Sequence, residues 1–269
     1  MSANDNKNHR YSLSTALAAG VTAFGLVSLP ATSQAEEWQF SISPYFNAAD
    51  MDITTSVGDI ETEVELSADD VLDKADSGFM AMFSARKGKW IFGFDGSYFK
   101  LSDGQSKSVE GPFGRESAKG AIELTNRQWI YQPMVGYLVL DDRVKVDIYG
   151  GARYTRLRVN MDIDISTSVD AFPGGDTTFR GELEWTDFVL GGHFSMPLGK
   201  KFSVDGLVDA GTGEYSDMSY QLLGVGTWHF SETMSASLGY RLLVQNYEED
   251  AFEYDAKFNG LMLGMTFNL

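Results

Sequence analysis

The chain has 269 residues, no cysteine, 38 acidic against 21 basic side chains and a formal net charge of −17. Apolar residues make up 43% and aromatics 13%, too rich for a disordered acidic tail, and the negative charge argues against a nucleic-acid partner. The lack of cysteine excludes disulfides, thiolate metal sites, cysteine nucleophiles and a lipid-anchoring cysteine.

Residues 1–35 differ in composition from the rest. Lys7 and Arg10 precede a nearly unbroken apolar stretch from Ala16 to Leu29, followed by Pro30 and Ser33-Gln34-Ala35. This is the three-part layout of a secretory signal peptide, with cleavage expected after Ala35. The alternative, an N-terminal membrane anchor, needs a run of roughly 20 apolar residues, longer than the one present. Cleavage removes Asp5, Lys7 and Arg10 and takes the net charge to −18. Two units are therefore expected, a signal peptide over 1–35 and a barrel domain over 36–269.

Beyond Ala35 every apolar run is interrupted by charge, Gly or Asn, so a membrane form of this chain must cross with strands. Alternation with period two dominates. Trp90, Phe92, Phe94, Gly96 and Tyr98 oppose Gly93, Asp95 and Ser97; Val144, Val146, Ile148 and Tyr154 oppose Lys145, Asp147 and Arg153. Phe202, Val204 and Val208 oppose Ser203, Asp205 and Asp209, and the chain ends on Leu261, Leu263, Met265, Phe267 and Leu269. Connections alternate too. Tight turns are expected around Lys87-Gly88-Lys89, Leu140-Asp141-Asp142-Arg143, Pro197-Leu198-Gly199-Lys200 and Ser231-Glu232-Thr233, and long polar loops at 53–77, 102–120 and 160–181. Short turns at one end and long loops at the other describe a transmembrane barrel. The prediction is an all-β, antiparallel up-and-down transmembrane β-barrel of about ten strands, with eight the smaller possibility.

A soluble exported barrel would place the aromatics inside instead. Trp38, Trp90, Phe202, Trp228, Phe230 and Phe267 gather at the short-turn ends, where an interfacial girdle belongs, and this favours the membrane form.

The segments Trp38-Gln39-Phe40, Pro44-Tyr45, Gly78-Phe79-Met80, Arg86-Lys87-Gly88-Lys89-Trp90, Gly150-Gly151-Ala152-Arg153-Tyr154, Gln221-Leu222-Leu223 and Leu238-Gly239-Tyr240-Arg241 resemble a family of small, mostly uncharacterised outer-membrane β-barrel proteins of Gram-negative bacteria. The resemblance implies outer-membrane residence after export and insertion by the barrel assembly machinery; it implies no activity. Such proteins commonly finish on an aromatic residue, whereas here Leu269 is last and Phe267 is the aromatic.

The candidate functional groups follow from the face assignment. Asp95, Asp147, Asp187, Asp205 and Asp209 point inward with Arg86, Lys145, Arg153 and Arg241, so a lumen balanced by ion pairs is expected, either closed on itself or narrowly open. His193-Phe194-Ser195 puts a base and a hydroxyl on one face of one strand, similar to the His-x-Ser arrangement of lipid A deacylases, with no orienting acid assignable. Neither His193 nor His229 has a second ligand at metal spacing. The first long loop carries Asp59, Glu61, Glu63, Glu65, Asp69, Asp70 and Asp73, a solvated acidic surface or a weak divalent-cation site, though without the glycine of a calcium loop. Within it, Val57, Ile60, Val64 and Leu66 suggest a short hairpin, and Ser67 caps a helical turn.

The expected role is thus a structural barrel or a porin-like narrow passage for small solutes, not an enzyme, with no cofactor. Its expected partners are outer-membrane lipids and lipopolysaccharide. The rival reading is an envelope-lipid-modifying enzyme acting through His193 and Ser195.

Overall fold

The computed structural model describes residues 37–57, 60–110, 116–167, 175–250 and 252–269. The expected signal peptide and Asp59 lie outside the described residues. Eleven strands form one antiparallel sheet: β1 (Gln39–Val57), β2 (Ile60–Leu66), β3 (Ala75–Lys87), β4 (Trp90–Glu110), β5 (Glu116–Asp141), β6 (Lys145–Thr167), β7 (Gly175–Pro197), β8 (Phe202–Gly213), β9 (Ser216–His229), β10 (Met234–Glu249) and β11 (Phe252–Asn268). A short helix, α1 (Ala68–Lys74), lies between β2 and β3. Each strand from β3 to β11 pairs with its neighbour, and β11 closes onto β1 from Ser41↔Asn268 to Val57↔Phe252. Ten strands make the barrel, and β2 is an extra hairpin strand laid on the upper part of β1.

Closure of β11 onto β1 is what makes the fold viable in lipid, because nearly all ladder hydrogen bonds are then made within the protein. The tight turns lie where the sequence places them. Gly88, with φ 57°, turns β3 into β4, and Gly199, with φ 95°, sits between β7 and β8; an L side chain would be strained at either position.

The exterior is apolar over one band. On β4 it reads Trp90, Phe92, Phe94, Gly96 and Tyr98 before Lys100, and on β7 it reads Phe194, Gly192, Leu190 and Phe188 before Thr186 and Glu184. Trp90 to Tyr98 matches the roughly nine to eleven residues that a tilted strand uses to cross a membrane. Trp38, Trp90, Phe202, Trp228 and Phe230 are exposed at the short-turn end. A second girdle, of Tyr98, Trp129, Tyr131, Tyr154 and Tyr240, stands at the other end, with Tyr98 and Trp129 rings 5.2 Å apart and Tyr131 parallel to Tyr154. Above it the exterior turns charged, where Arg156 and Arg158 lie over Trp129 and pair with Glu182 and Glu184. An apolar wall between two aromatic belts is stable against lipid and unstable against water.

Two expectations change. Much of 102–120 and 160–181, expected to be loop, is strand: β4 and β5 pair out to Glu110↔Glu116, and β6 and β7 to Ile165↔Gly175. Outside the membrane a hairpin needs no buried face, so polar composition does not prevent the ladder from continuing. The lumen, expected to be polar throughout, is apolar in its upper part. Met51, Leu101, Leu157, Trp185, Tyr254 and Phe258 form a buried cluster there, and α1 and β2 add Val71 and Leu66 to it.

Candidate functional site: a lumen in three layers

The barrel wall positions every inward side chain, because alternate residues of each strand face the lumen. At the turn end is a polar vestibule of about 600 Å³, lined by residues that include Ser41, Ser195, Ser203, Asp205, Thr227 and His229. Asp205 accepts from Ser203 Oγ at 2.9 Å and Thr227 Oγ1 at 3.0 Å, and His229 Nε2 lies 3.1 Å from Ser203 Oγ. Asp147 is buried at the edge of this space, 3.1 Å from Arg86 Nη2 and 3.2 Å from His193 Nδ1. Ladder pairing sets that contact, since Asp147 on β6 is directly opposite His193 on β7, with Lys145 opposite Ser195. The Lys145 ammonium reaches across the turn to its ladder partner Asp141 at the end of β5, at 3.8 Å, and so sits at the rim outside the inner ion pairs.

The middle layer closes the barrel. Arg153 Nη2 lies 2.5 Å from Asp209 Oδ1, its Nε donates to Gln132 Oε1 at 3.0 Å and its Nη1 to Ser219 Oγ at 3.1 Å. Tyr149 donates to Asp209 Oδ2 at 2.8 Å. Alongside, Arg241 Nη2 is 3.1 Å from Asp95 Oδ2, its Nη1 donates to the Tyr45 hydroxyl at 2.7 Å, and its Nε donates to Gln221 Oε1 at 2.9 Å. Tyr45 passes its own proton toward Asp95 Oδ1 at 2.8 Å, and Gln221 Nε2 reaches Asp209 at 3.4 Å and so joins the two groups. Each guanidinium meets a carboxylate and neutral acceptors, the arrangement in which a buried charge pair is tolerable. Just above, Gln128 donates to Gln245, which donates to Thr155.

Of the lumen charges read from sequence, Asp95, Arg153, Asp209 and Arg241 come together in this layer, and Asp147 and Asp205 lie below it. Asp187 joins neither group. It is fully buried opposite Arg153 in the β6–β7 ladder, yet the guanidinium turns to Asp209, and both Asp187 carboxylate oxygens lack a hydrogen-bond partner among the described residues. Sequence reasoning passed over Tyr45, Tyr149, Gln128, Gln132, Gln221 and Gln245. The signal for the glutamines was present: Gln128 and Gln132 share parity with Ile130, against exterior Trp129 and Tyr131.

In the first extracellular segment, Glu61, Glu63 and Glu65 lie exposed on β2, and Ser67 caps α1 through a capping box with Asp70. Asp50 accepts from the Ala68 amide at 2.7 Å and ties the start of α1 to β1. The Asp70 carboxyl is held below the usual range by the hydrogen bonds from Ser67, and Asp76, where β3 begins, by those from Lys100 and Ser102. Asp69 and Asp73 are exposed on α1. Among the described residues no three His, Cys, Asp or Glu side chains gather in a group able to hold a metal ion.

No family model matches the chain, and no curated protein is significantly similar to it. Solved structures do superpose on it. The outer membrane protease OmpT from Escherichia coli aligns with a TM-score of 0.58 over 90% of this chain and 99% of its own, at 8% identity. The fold is that of an outer-membrane β-barrel. The translocator domain of the autotransporter NalP from Neisseria meningitidis aligns at a TM-score of 0.40 and 11% identity, over 87% of this chain and 89% of its own. Ail, the attachment invasion locus protein of Yersinia pestis, aligns at 0.29 and 10%, over 87% of this chain and 99% of its own. At these identities the likeness concerns architecture alone.

Proposed function

We propose that this chain is a structural barrel of the Gram-negative outer membrane whose lumen is closed to ions and polar solutes. The observation that carries the reading is the interlocked layer of Arg153, Asp209, Gln221, Arg241 and Asp95, with the Arg153 and Asp209 side chains at 0% exposure. An ion crossing it would have to break paired, desolvated charges whose partners would be left uncompensated. A barrel of ten strands is only a little wider than the eight-stranded size that side chains fill, so closure needs no separate plug domain. The chain is exported with a cleaved leader, inserted by the barrel assembly machinery, and surrounded by outer-membrane lipid and lipopolysaccharide. Liposome swelling tests the reading. Vesicles carrying folded protein should swell no faster in isotonic arabinose than empty vesicles, and swelling that scales with protein content would overturn it.

One observation favours a second reading, hydrolysis of an envelope lipid at Ser195. Asp147 supplies the carboxylate that orients His193, the member that no sequence spacing provides. Against it, Ser195 lines the turn-end vestibule inside the barrel and not the lipid-facing wall. Fatty acid release from lipopolysaccharide that disappears in Ser195→Ala would establish the hydrolase, and release unchanged in that variant would remove it.

A further inference from the structure

Pairing between β1 and β3 stops at Tyr45↔Met80. Above that point β1 from Phe46 to Asp50 bonds only to β11, and β3 from Ala75 to Phe79 only to β4, until β2 takes the free side of β1 at Met51. The wall therefore has a notch at this seam. It lies at membrane height: Phe46, paired with Leu263, and Phe79, paired with Tyr98 of the upper girdle, stand on its two sides with 51% and 65% exposure. α1 roofs the notch, with Val71 and Leu72 facing the space beneath. An open sheet edge toward hydrocarbon is costly, so a break of this length calls for a use.

Behind the notch is a cavity of about 260 Å³ walled by Ala49, Met51, Phe99, Leu101, Ile130 and Phe258, with Tyr45 and Arg241 of the ion-paired layer at its floor. Met51 and Leu101 also line a second cavity, of about 410 Å³, at the extracellular mouth. That cavity is walled by Ile53, Leu66, Leu157 and Tyr254 and rimmed by Lys74, Asp103 and Glu182. The two apolar spaces thus meet at one pair of side chains, one opening at the mouth and the other toward the outer leaflet. Downward movement from either is stopped by the ion pairs. A polar solute gains nothing in such walls, whereas burying a hydrocarbon there yields roughly 25 cal/mol per Å². The charged rim also disfavours a resident lipid chain at the mouth end.

We propose that the β1–β3 notch is a lateral port through which small free hydrocarbon molecules pass between the extracellular chamber and the outer leaflet, with α1 as its lid. The port stands above the ion-paired layer and does not depend on that layer being closed to ions.

The absence of native cysteine makes a direct test simple. Met51→Cys places a single thiol where the two cavities meet. With the protein folded in phosphatidylcholine vesicles, as verified by heat-modifiable gel migration, bilayer-partitioned N-pyrenylmaleimide should label it at least tenfold faster than a membrane-impermeant anionic maleimide, and octane should slow the labelling severalfold. Adding Ala49→Trp, which fills the cavity behind the notch, should slow pyrenyl labelling about tenfold. Adding Leu72→Ala, an exposed helix position that folding tolerates, should speed it a few-fold. Pyrenyl labelling no faster than labelling by the anionic reagent, or insensitive to octane and to the Leu72→Ala lid variant, would overturn the port. Slowing by Ala49→Trp without competition from octane would point to a resident lipid chain and would equally overturn transit.

Discussion

Arg153 Nη2 lies 2.5 Å from Asp209 Oδ1 in the middle of the barrel, with both side chains shut off from solvent. Their strands, β6 and β8, do not pair with each other but lie on either side of β7, so the contact bridges one intervening strand on the lumen face of the wall. Removing one partner leaves the other buried and uncompensated. Asp209→Ala and Arg153→Ala are each expected to lower unfolding free energy by about 3–5 kcal/mol, whereas a double replacement by Leu and Met should cost much less than the sum. Urea unfolding of protein folded in vesicles measures all three, and additive losses would contradict the coupling.

Asp187 makes the opposite prediction. Its carboxylate is buried with no partner among the described residues, so its negative charge carries a desolvation cost that nothing offsets. Asp187→Asn keeps the shape and removes the charge; it should leave stability unchanged or raise it by about 1 kcal/mol. A loss of several kcal/mol in the same urea assay would show that Asp187 has a partner in the membrane-embedded protein.

The exterior assignment is tested by charge. Leu190 is 72% exposed near the middle of the apolar band on β7, and Tyr240 stands in the upper girdle on β10. Leu190→Arg should cost about 2–4 kcal/mol and Tyr240→Arg about 0–1 kcal/mol, because the penalty for a lipid-facing arginine falls from midplane to interface. Equal, small costs would put this surface in water.

The lid has a pH dependence. Asp70 and Asp76 both have folded-state pKa values below their ordinary ones, through Ser67 in the first case and Lys100 and Ser102 in the second. A depressed carboxylate adds stability that is complete above the unfolded value, about 4, and is lost as pH falls through the folded value. Lys74, paired with Asp103 at 3.6 Å, Lys100 and Arg127 are the cations nearby. Hydrogen exchange of the Val71 amide, which donates to Ser67 O at 2.9 Å, should therefore accelerate beyond the intrinsic rate change between pH 5 and pH 3. Constant protection over that range would separate α1 from these two carboxylates.

The membrane-crossing parts of the strands, the turn positions, the exterior face and the capped turn at Ser67 were legible because each depends on local pattern: period two, Gly at positive φ, or a short-range cap. The upper lumen was not. On β10 both faces are apolar, Leu243 and Tyr247 inward against Leu242 and Val244 outward, so alternation does not show which aromatics leave the lipid wall for the interior. Partners were equally hidden. Arg153 is opposite Asp187 in the ladder but bonds to Asp209 two strands away, a choice made by side-chain reach that no spacing encodes. The notch could not be read either, since a missing neighbour is a property of strand pairing that Phe46–Asp50 and Ala75–Phe79 do not carry in their own residues.

The central claim is that paired charges close the lumen, and single-channel recording tests it most directly. Folded wild-type protein in a planar bilayer in 1 M KCl, on the order of ten times physiological ionic strength, should give no steady current steps. Asp95→Ala with Asp209→Ala, which unlocks both arginines, should give steps selective for anions. Steady conductance through the wild-type barrel, indistinguishable from that of the double variant, would contradict the account.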